Sequence, residues 1–497
     1  MEVGDIAAVV DGFAAAAKLA ADAGCDGVEI NAGQHSLIRQ FLSGLTNQRD
    51  DEWGHDRNLF ARQVIEAVRS NAGDRVVGLR LSCDELAPWA GITPEQAPAI
   101  ATDLVASGID YLVVVRGSIF SSEKTRPDFH EPTGFNIELC QAIRAEMVRG
   151  AVGVPVVLQG SVVEVGQAEW ALDPDDAAAC DAVEMTRAQI ADPDLVEKTT
   201  RGAGVEIRPC TRCNQSCQVR DVRNPIVTCI GEPTSGRETE DPDWYAPAAA
   251  PRRVVVLGGG PAGMETARVA VLRGHHVELV ERSARLGGLA AFGPNRRLVE
   301  WLEREIKRLD VDIRLGDELA TPEPATVVVQ CTGSLPGVRG YEIDDGAIVI
   351  DIADLRSGLV ALPTTGDIVV FDPIGGPIAI TLAEELGTRA ILVTQDHIAG
   401  NELSRTGDLA PANVRLTRAR VRIERRSLLR AAHAASVDVE DRFSGLRRSI
   451  ACVAVVDCGF RLPDDPIERA DHRAGDCVAP RTVYEAILEG RRVALSI

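Results

Sequence analysis

The sequence lacks several features that define whole classes of protein. No apolar stretch reaches the ~20 residues that a spanning helix needs, and no basic run followed by an apolar core and a cleavage site opens the chain. Basic residues number 53 against 74 acidic ones, for a formal net charge of −21. Such a surface repels nucleic acid and anionic membranes, so neither is expected as a partner. Nothing marks the chain for export, which argues against disulfides among its 12 cysteines. The expectation is a cytoplasmic protein working on a small molecule, with a redox partner and oligomerisation left open. What is present suffices for two or three cores: 497 residues, 45% hydrophobic and 26% charged.

Four of the cysteines are clustered. The stretch RPCTRCNQSCQVRDVRNPIVTC sets Cys210, Cys213, Cys217 and Cys229 in a C-x2-C-x3-C-x11-C series. Two cysteines separated by two residues can bend round one metal atom. A third adds another turn, and a distant fourth closes a cage of the kind that holds a [4Fe–4S] cluster. A structural zinc site usually pairs two short clips, which the lone fourth cysteine fits less well, and unbound thiols are the remaining reading. The other eight (Cys25, Cys83, Cys140, Cys180, Cys331, Cys452, Cys458 and Cys477) lie singly in apolar or strand-like contexts and read as small core residues.

The first 200 residues alternate helix and strand, the pattern of a parallel sheet with helices outside it. Ile6, Val9, Val10, Phe13, Ala17 and Ala20 fall at helical spacing before Gly24. Strands are expected at 27–31, 76–82, 111–115, 154–159 and 182–185, with helices around Phe60–Val68 and over 136–149, and a helix start at Thr93-Pro94-Glu95-Gln96. Five βα repeats are more than half of a (β/α)8 barrel, whose chemistry sits at the C-terminal strand ends. There lie Asn31, Gln34, His35 and Ser36, then Arg80, Arg116, Gly160, Ser161 and Arg187. An Arg inside VGLRLS needs an anion: either a flavin or a barrel carboxylate. Backbone N–H groups at Gly160-Ser161, with Arg187, suit a phosphate.

The segments DGVEINAGQHSLIRQFLSGLTNQRDDEWG, VVGLRLSCDE, IDYLVVVRGS, PVVLQGS, VEMTRAQIADPDL and IRPCTRCNQSC resemble, in order, the old yellow enzyme barrel and its iron–sulfur branch. That branch contains 2,4-dienoyl-CoA reductase, trimethylamine and histamine dehydrogenases, and N-methyl amino acid demethylases; NAGQHSLIRQFLSGLTN looks most like members associated with the mycofactocin redox system. The resemblance implies that Arg80 contacts flavin, that Gly160 and Arg187 hold FMN phosphate, and that Cys210, Cys213, Cys217 and Cys229 bind the cluster. Two departures stand out. Gapless matching places Asn31 and Gln34 at the pair that polarises substrate and Ser36 at the tyrosine proton donor, with His35 as a substitute acid if it turns inward. The chain also begins at the helix leading into the family's fourth strand, so three βα units are missing from the pattern. The favoured expectation is a start lying upstream; completion by another chain and a remnant without a full FMN barrel are the alternatives.

After the cluster, 230–251 has linker composition, and RRVVVLGGGPAGMETARVAVLRGHHVELVE follows. Gly258, Gly260 and Gly263 open a helix after a strand, and Glu281 ends the next strand, as a dinucleotide site requires. Gly287-Gly288, Val327 to Gly333 and Gly475-Asp476 resemble the FAD-binding parts of two-dinucleotide flavoprotein reductases. A second βαβ unit around DPIGGP suggests NAD(P) binding without a full fingerprint. The expected order is a partial FMN barrel over 1–207, an iron–sulfur segment and linker over 208–251, FAD-binding parts over 252–365 and 451–497, and an NAD(P)-type unit over 366–450. The expected function is an NAD(P)H-linked oxidoreductase carrying FMN, FAD (or ADP) and a [4Fe–4S] cluster that reduces an unsaturated or carbonyl compound. An amine dehydrogenase or demethylase working oppositely, and an electron-transfer module, are the rivals.

Overall fold

The computed structural model describes residues 1–150, 153–174, 178–218, 226–318 and 326–497, which form two compact units, Met1–Gln189 and Ile190–Ile497. In the first, strands Gly27–Ala32, Val76–Asp84, Tyr111–Arg116, Val156–Leu158 and Ala182–Val183 pair in parallel in sequence order. Val77, Leu79, Leu81 and Cys83 send every second side chain of one strand into the core with Phe60, Val64 and Ile65 from the helix Leu59–Ala72. Burying each large apolar side chain contributes about 1.5–3 kcal/mol, which is why the alternation fixes the sheet's two faces.

The helix Val3–Asp22 starts with a Glu2/Asp5 capping box and ends before Gly24, which takes φ +84. The helix expected at Thr93 begins instead at Ala97 and runs to Val105. Thr93 to Gln96 forms a turn in which the Gln96 side chain accepts from the Thr93 N–H at 3.3 Å, so the capping residues precede the helix rather than open it.

The second unit contains two five-stranded parallel sheets. The first has the order His472–Arg473, Val327–Gln330, Arg253–Leu257, His276–Glu281, Asp312–Leu315. The second has the order Val349–Asp351, Ala454–Asp457, Ile368–Asp372, Ala390–Thr394, Arg422–Glu424. Val349–Asp351 and Ala454–Asp457, which flank the expected boundaries near 365 and 451, both join the second sheet. Val369, Ile391 and Val393 of that sheet pack on Leu429, Val437, Val439 and Ile450 of a four-stranded sheet. Among the singly placed cysteines, Cys25 is exposed after Gly24, and the other seven are buried. No described helix is long and apolar enough to cross a membrane.

Candidate functional site

In the first unit, the face of the sheet away from the helices carries Glu29, Asn31 and Arg80, with Asn31 opposite Arg80 in register. Arg80 Nε donates to Glu29 Oε1 and Nη2 to Glu184 Oε2, each at 2.7 Å. The cation inside VGLRLS is therefore met by two carboxylates, and Nη1 is its remaining donor. Gly78 makes room on this face: a Cβ there would lie 2.1 Å from the Tyr111 ring, whose hydroxyl donates to Glu29 at 3.2 Å. Burial, and then the Glu29 charge, push that phenol up to about 12.

The loop after the first strand reassigns two expected residues. Ser36 Oγ donates to Gly33 O at 2.8 Å and accepts from the Arg39 N–H at 3.1 Å, so it caps the helix Leu37–Leu42. Its proton is engaged by the backbone at the position where the resemblance places a tyrosine proton donor. His35 is exposed in the left-handed region at φ +65 and is not turned inward. Asn31 Oδ1 accepts from the Gly33 N–H at 2.9 Å, leaving its amide N–H groups, while the Oε1 of Gln34 is buried without a partner.

Gly160, Ser161 and Arg187 do converge. Arg187 Nη2 donates to Ser161 Oγ, and Nη1 donates to Pro127 O at 3.0 Å. Gly160 takes φ +149, and a Cβ there would meet the Asn136 side chain at 2.8 Å. The Arg187 guanidinium thus lies against the Gly160-Ser161 turn at the end of the fourth strand.

In the second unit, Cys210 is buried and Cys213, Cys217 and Cys229 are half-buried along one segment. Burial pushes Cys213 and Cys229 each up to about 12. The neighbouring sulfurs raise them further: Cys210 and Cys217 act on Cys213, and Cys213 and Cys210 on Cys229. A cation among these sulfurs reverses that balance, because coordination deprotonates a thiol outright. Two backbone donors already point at sulfur, Arg212 N–H at Cys210 Sγ and Gly231 N–H at Cys229 Sγ, both at 3.4 Å. Four cysteine sulfurs, two of them already accepting backbone N–H bonds, are the soft donors that an iron–sulfur centre takes once they are deprotonated. Residues 219–225 of the segment lie outside the described residues.

The dinucleotide turn is built as its glycines require. Gly258 takes φ +107, and a Cβ there would lie 2.2 Å from Cys331 O. Gly260 caps the helix Pro261–Leu272, with open space where its side chain would be. Glu281 Oε2 accepts from the Gly259 N–H at 2.7 Å and Oε1 from the Ser283 N–H at 2.8 Å, which puts the carboxylate beside the turn. Gly288 and Gly333 take φ +52 and +84 over open space, whereas Gly475 takes φ +81 against Ala262. Asp476 accepts from the Arg481 N–H at 3.2 Å, and burial raises its carboxyl above the ordinary value. The second βαβ unit has a buried acid in its loop. Asp372 Oδ1 accepts from Ile374 and Gly375 N–H groups, while Oδ2 is buried without a partner.

The parallel sheet of the first unit is of TIM-barrel type, and the two five-stranded parallel sheets of the second unit are of Rossmann type. Residues 1–205 match the model of the NADH:flavin oxidoreductase / NADH oxidase family, and residues 223–344 match that of the pyridine nucleotide-disulphide oxidoreductase family. The chain is 35% identical over 424 residues to an N,N-dimethylglycine/sarcosine dehydrogenase of Chromohalobacter salexigens, covering 80% of this chain and 60% of that protein. It is 34% identical over 399 residues to a metal reductase of Desulforamulus reducens, covering 76% and 58%. The chain thus spans less than two thirds of the length of these curated relatives. A solved 2-naphthoyl-CoA reductase complex superimposes with TM-score 0.88 at 26% identity, covering 100% of this chain and 77% of that one.

Proposed function

We propose that this protein is an NAD(P)H-linked iron–sulfur flavoprotein oxidoreductase acting on a small unsaturated or carbonyl compound. The observation that carries the reading is that Cys210, Cys213, Cys217 and Cys229 lie in the same compact unit as a glycine turn with the backbone geometry a dinucleotide needs. When bound, FMN and FAD supply hydride and single-electron chemistry, and a [4Fe–4S] cluster on those cysteines supplies one-electron transfer.

The chain's own residues do the holding. Gly160, Ser161 and Arg187 would take the FMN phosphate, and Arg80 Nη1 would reach the isoalloxazine. Gly258, Gly260 and Gly263 would admit a pyrophosphate, Glu281 would accept ribose hydroxyls, and Gly288, Gly333, Gly475 and Asp476 would line the rest of the FAD site. The amides of Asn31 and Gln34 would orient the substrate.

A second reading, oxidation of an amine, is favoured by the loop itself. Ser36 directs its proton to Gly33 O, and the buried Gln34 Oε1 has no donor, a role that an N–H group would fill. Similarity to N,N-dimethylglycine/sarcosine dehydrogenase points the same way. Anaerobic titration of the purified chain separates the two. Bleaching of the flavin by NADH or NADPH, reversed by an enone, supports reduction, whereas bleaching by a secondary or tertiary methylamine supports oxidation. FAD without FMN in the protein would overturn the FMN assignment.

A further inference from the structure

Beside the cysteine segment lies a buried ionic network that no cofactor assignment accounts for. Arg208, two residues before Cys210, is 4% exposed, Arg491 is 1% exposed, and Glu265 is fully buried. Arg491 Nη2 donates to Glu232 Oε2 at 2.8 Å and its Nε to Glu265 Oε1 at 2.7 Å. Arg268 Nε donates to Glu265 Oε2 at 2.8 Å, and Arg208 lies 3.4 Å from Glu232 and 3.6 Å from Glu265. Trp301 covers the Arg208 guanidinium, with its ring centre 4.3 Å away. Among the described residues, three guanidinia face two carboxylates in this network, one positive charge in excess. The adjoining pairs Asp192–Lys198 and Glu305–Arg308 are each neutral.

This charge also holds the residue that donates to sulfur. Arg208 Nη1 donates to Gly231 O at 2.6 Å, and the Gly231 N–H donates to Cys229 Sγ at 3.4 Å. The network also grips the nucleotide-binding elements. Glu265 lies on the helix that Gly260 caps, and Arg491 lies on the final helix, Val483–Ser496.

We propose that Arg208 and Arg491 are positioning residues that tune the electron affinity of the centre held by Cys210, Cys213, Cys217 and Cys229, an inference that rests on the cluster assignment above. A fixed positive charge in a low-dielectric surrounding favours the reduced centre, and N–H···S bonds held in place do the same. Each unit of charge is expected to change the ratio of reduced to oxidised cluster by about tenfold, about 59 mV for one electron.

The test is redox potentiometry of the full chain followed by EPR, with iron and sulfide measured in every sample. Arg491→Gln is expected to lower the reduced-to-oxidised ratio about tenfold, and Glu232→Gln to raise it about tenfold. The double variant restores the net charge and is expected to return near the parent, as is Arg208→Lys. A merely structural role would move the single variants in the same direction or leave both unmoved, and either result overturns the proposal. If Arg491→Gln does not fold, Glu232→Gln against Arg208→Lys decides alone: a rise only in the first supports the proposal, and any other pattern sinks it. A parent chain without iron and sulfide would remove the cluster assignment itself, and the tuning role with it.

Discussion

A methyl group on Gly263 would lie 1.9 Å from the carbonyl oxygen of Gly258. Gly258 lies in the turn between the strand Arg253–Leu257 and the helix Pro261–Leu272, and Gly263 in the first turn of that helix, so neither backbone can yield cheaply. Gly263→Ala is expected to destabilise the second unit by about 1–3 kcal/mol and to empty it of flavin. Gly260→Ala meets open space, so it should melt like the parent yet lose dinucleotide affinity at least about tenfold, since the backbone would no longer approach a pyrophosphate. Melting curves and flavin content on the two variants distinguish a packing glycine from a ligand-facing one.

Arg39 and Glu85 form an ion pair 1% and 0% exposed, and Glu85 also accepts from Ser43 Oγ and from the Ile92 N–H. Removing one partner leaves a buried charge alone. Arg39→Met or Glu85→Gln is expected to cost about 3–5 kcal/mol by urea denaturation, with part of the loss recovered in the double variant Arg39→Met/Glu85→Leu.

The sequence shows the elements more clearly than their partners. Alternating core residues in VVGLRLSCD (Val77, Leu79, Leu81 and Cys83) and helical spacing in the first twenty residues mark their elements because each is a local pattern answering to one core. The glycines of the dinucleotide turn are equally visible, since each meets a backbone constraint within its own βαβ unit. Arg80 is different: both its carboxylates lie far along the chain, 51 and 104 residues away. The same holds for Arg491 with Glu232, 259 residues apart, and no spacing rule points to such a pair. Ser36 looked chemical from its alignment but is claimed by a helix N-terminus, and the strand Ala454–Asp457 joins a sheet that its position in the chain did not suggest.

Asp372 supplies a pH test. Burial without a cation raises its carboxyl from 3.8 to about 6. Because the folded value lies above the unfolded one, the stability associated with the protonated acid is fully present below about pH 4 and is lost as pH rises through about 6. Asp372→Asn is expected to match the parent at pH 4 and to exceed it by up to about 3 kcal/mol at pH 8, read from denaturation midpoints at the two pH values.

Ser36 separates a cap from an acid. As the N-cap of Leu37–Leu42, its loss in Ser36→Ala is expected to cost about 1 kcal/mol of first-unit stability, with the pH profile of turnover unchanged. A fall in turnover with a shifted alkaline limb, at unaltered stability, would restore Ser36 as a proton donor. Kinetics across pH beside thermal melting decide the matter.

The central claim is that Cys210, Cys213, Cys217 and Cys229 hold an iron–sulfur cluster in the unit that binds the dinucleotide. The most direct measurement is metal and acid-labile sulfide analysis of the anaerobically purified chain, with EPR after dithionite reduction. The account predicts iron and sulfide in equal amounts, a reduced-cluster signal, and loss of all three in Cys213→Ser. Zinc bound without sulfide, or the same iron and sulfide content in Cys213→Ser as in the parent, would contradict it.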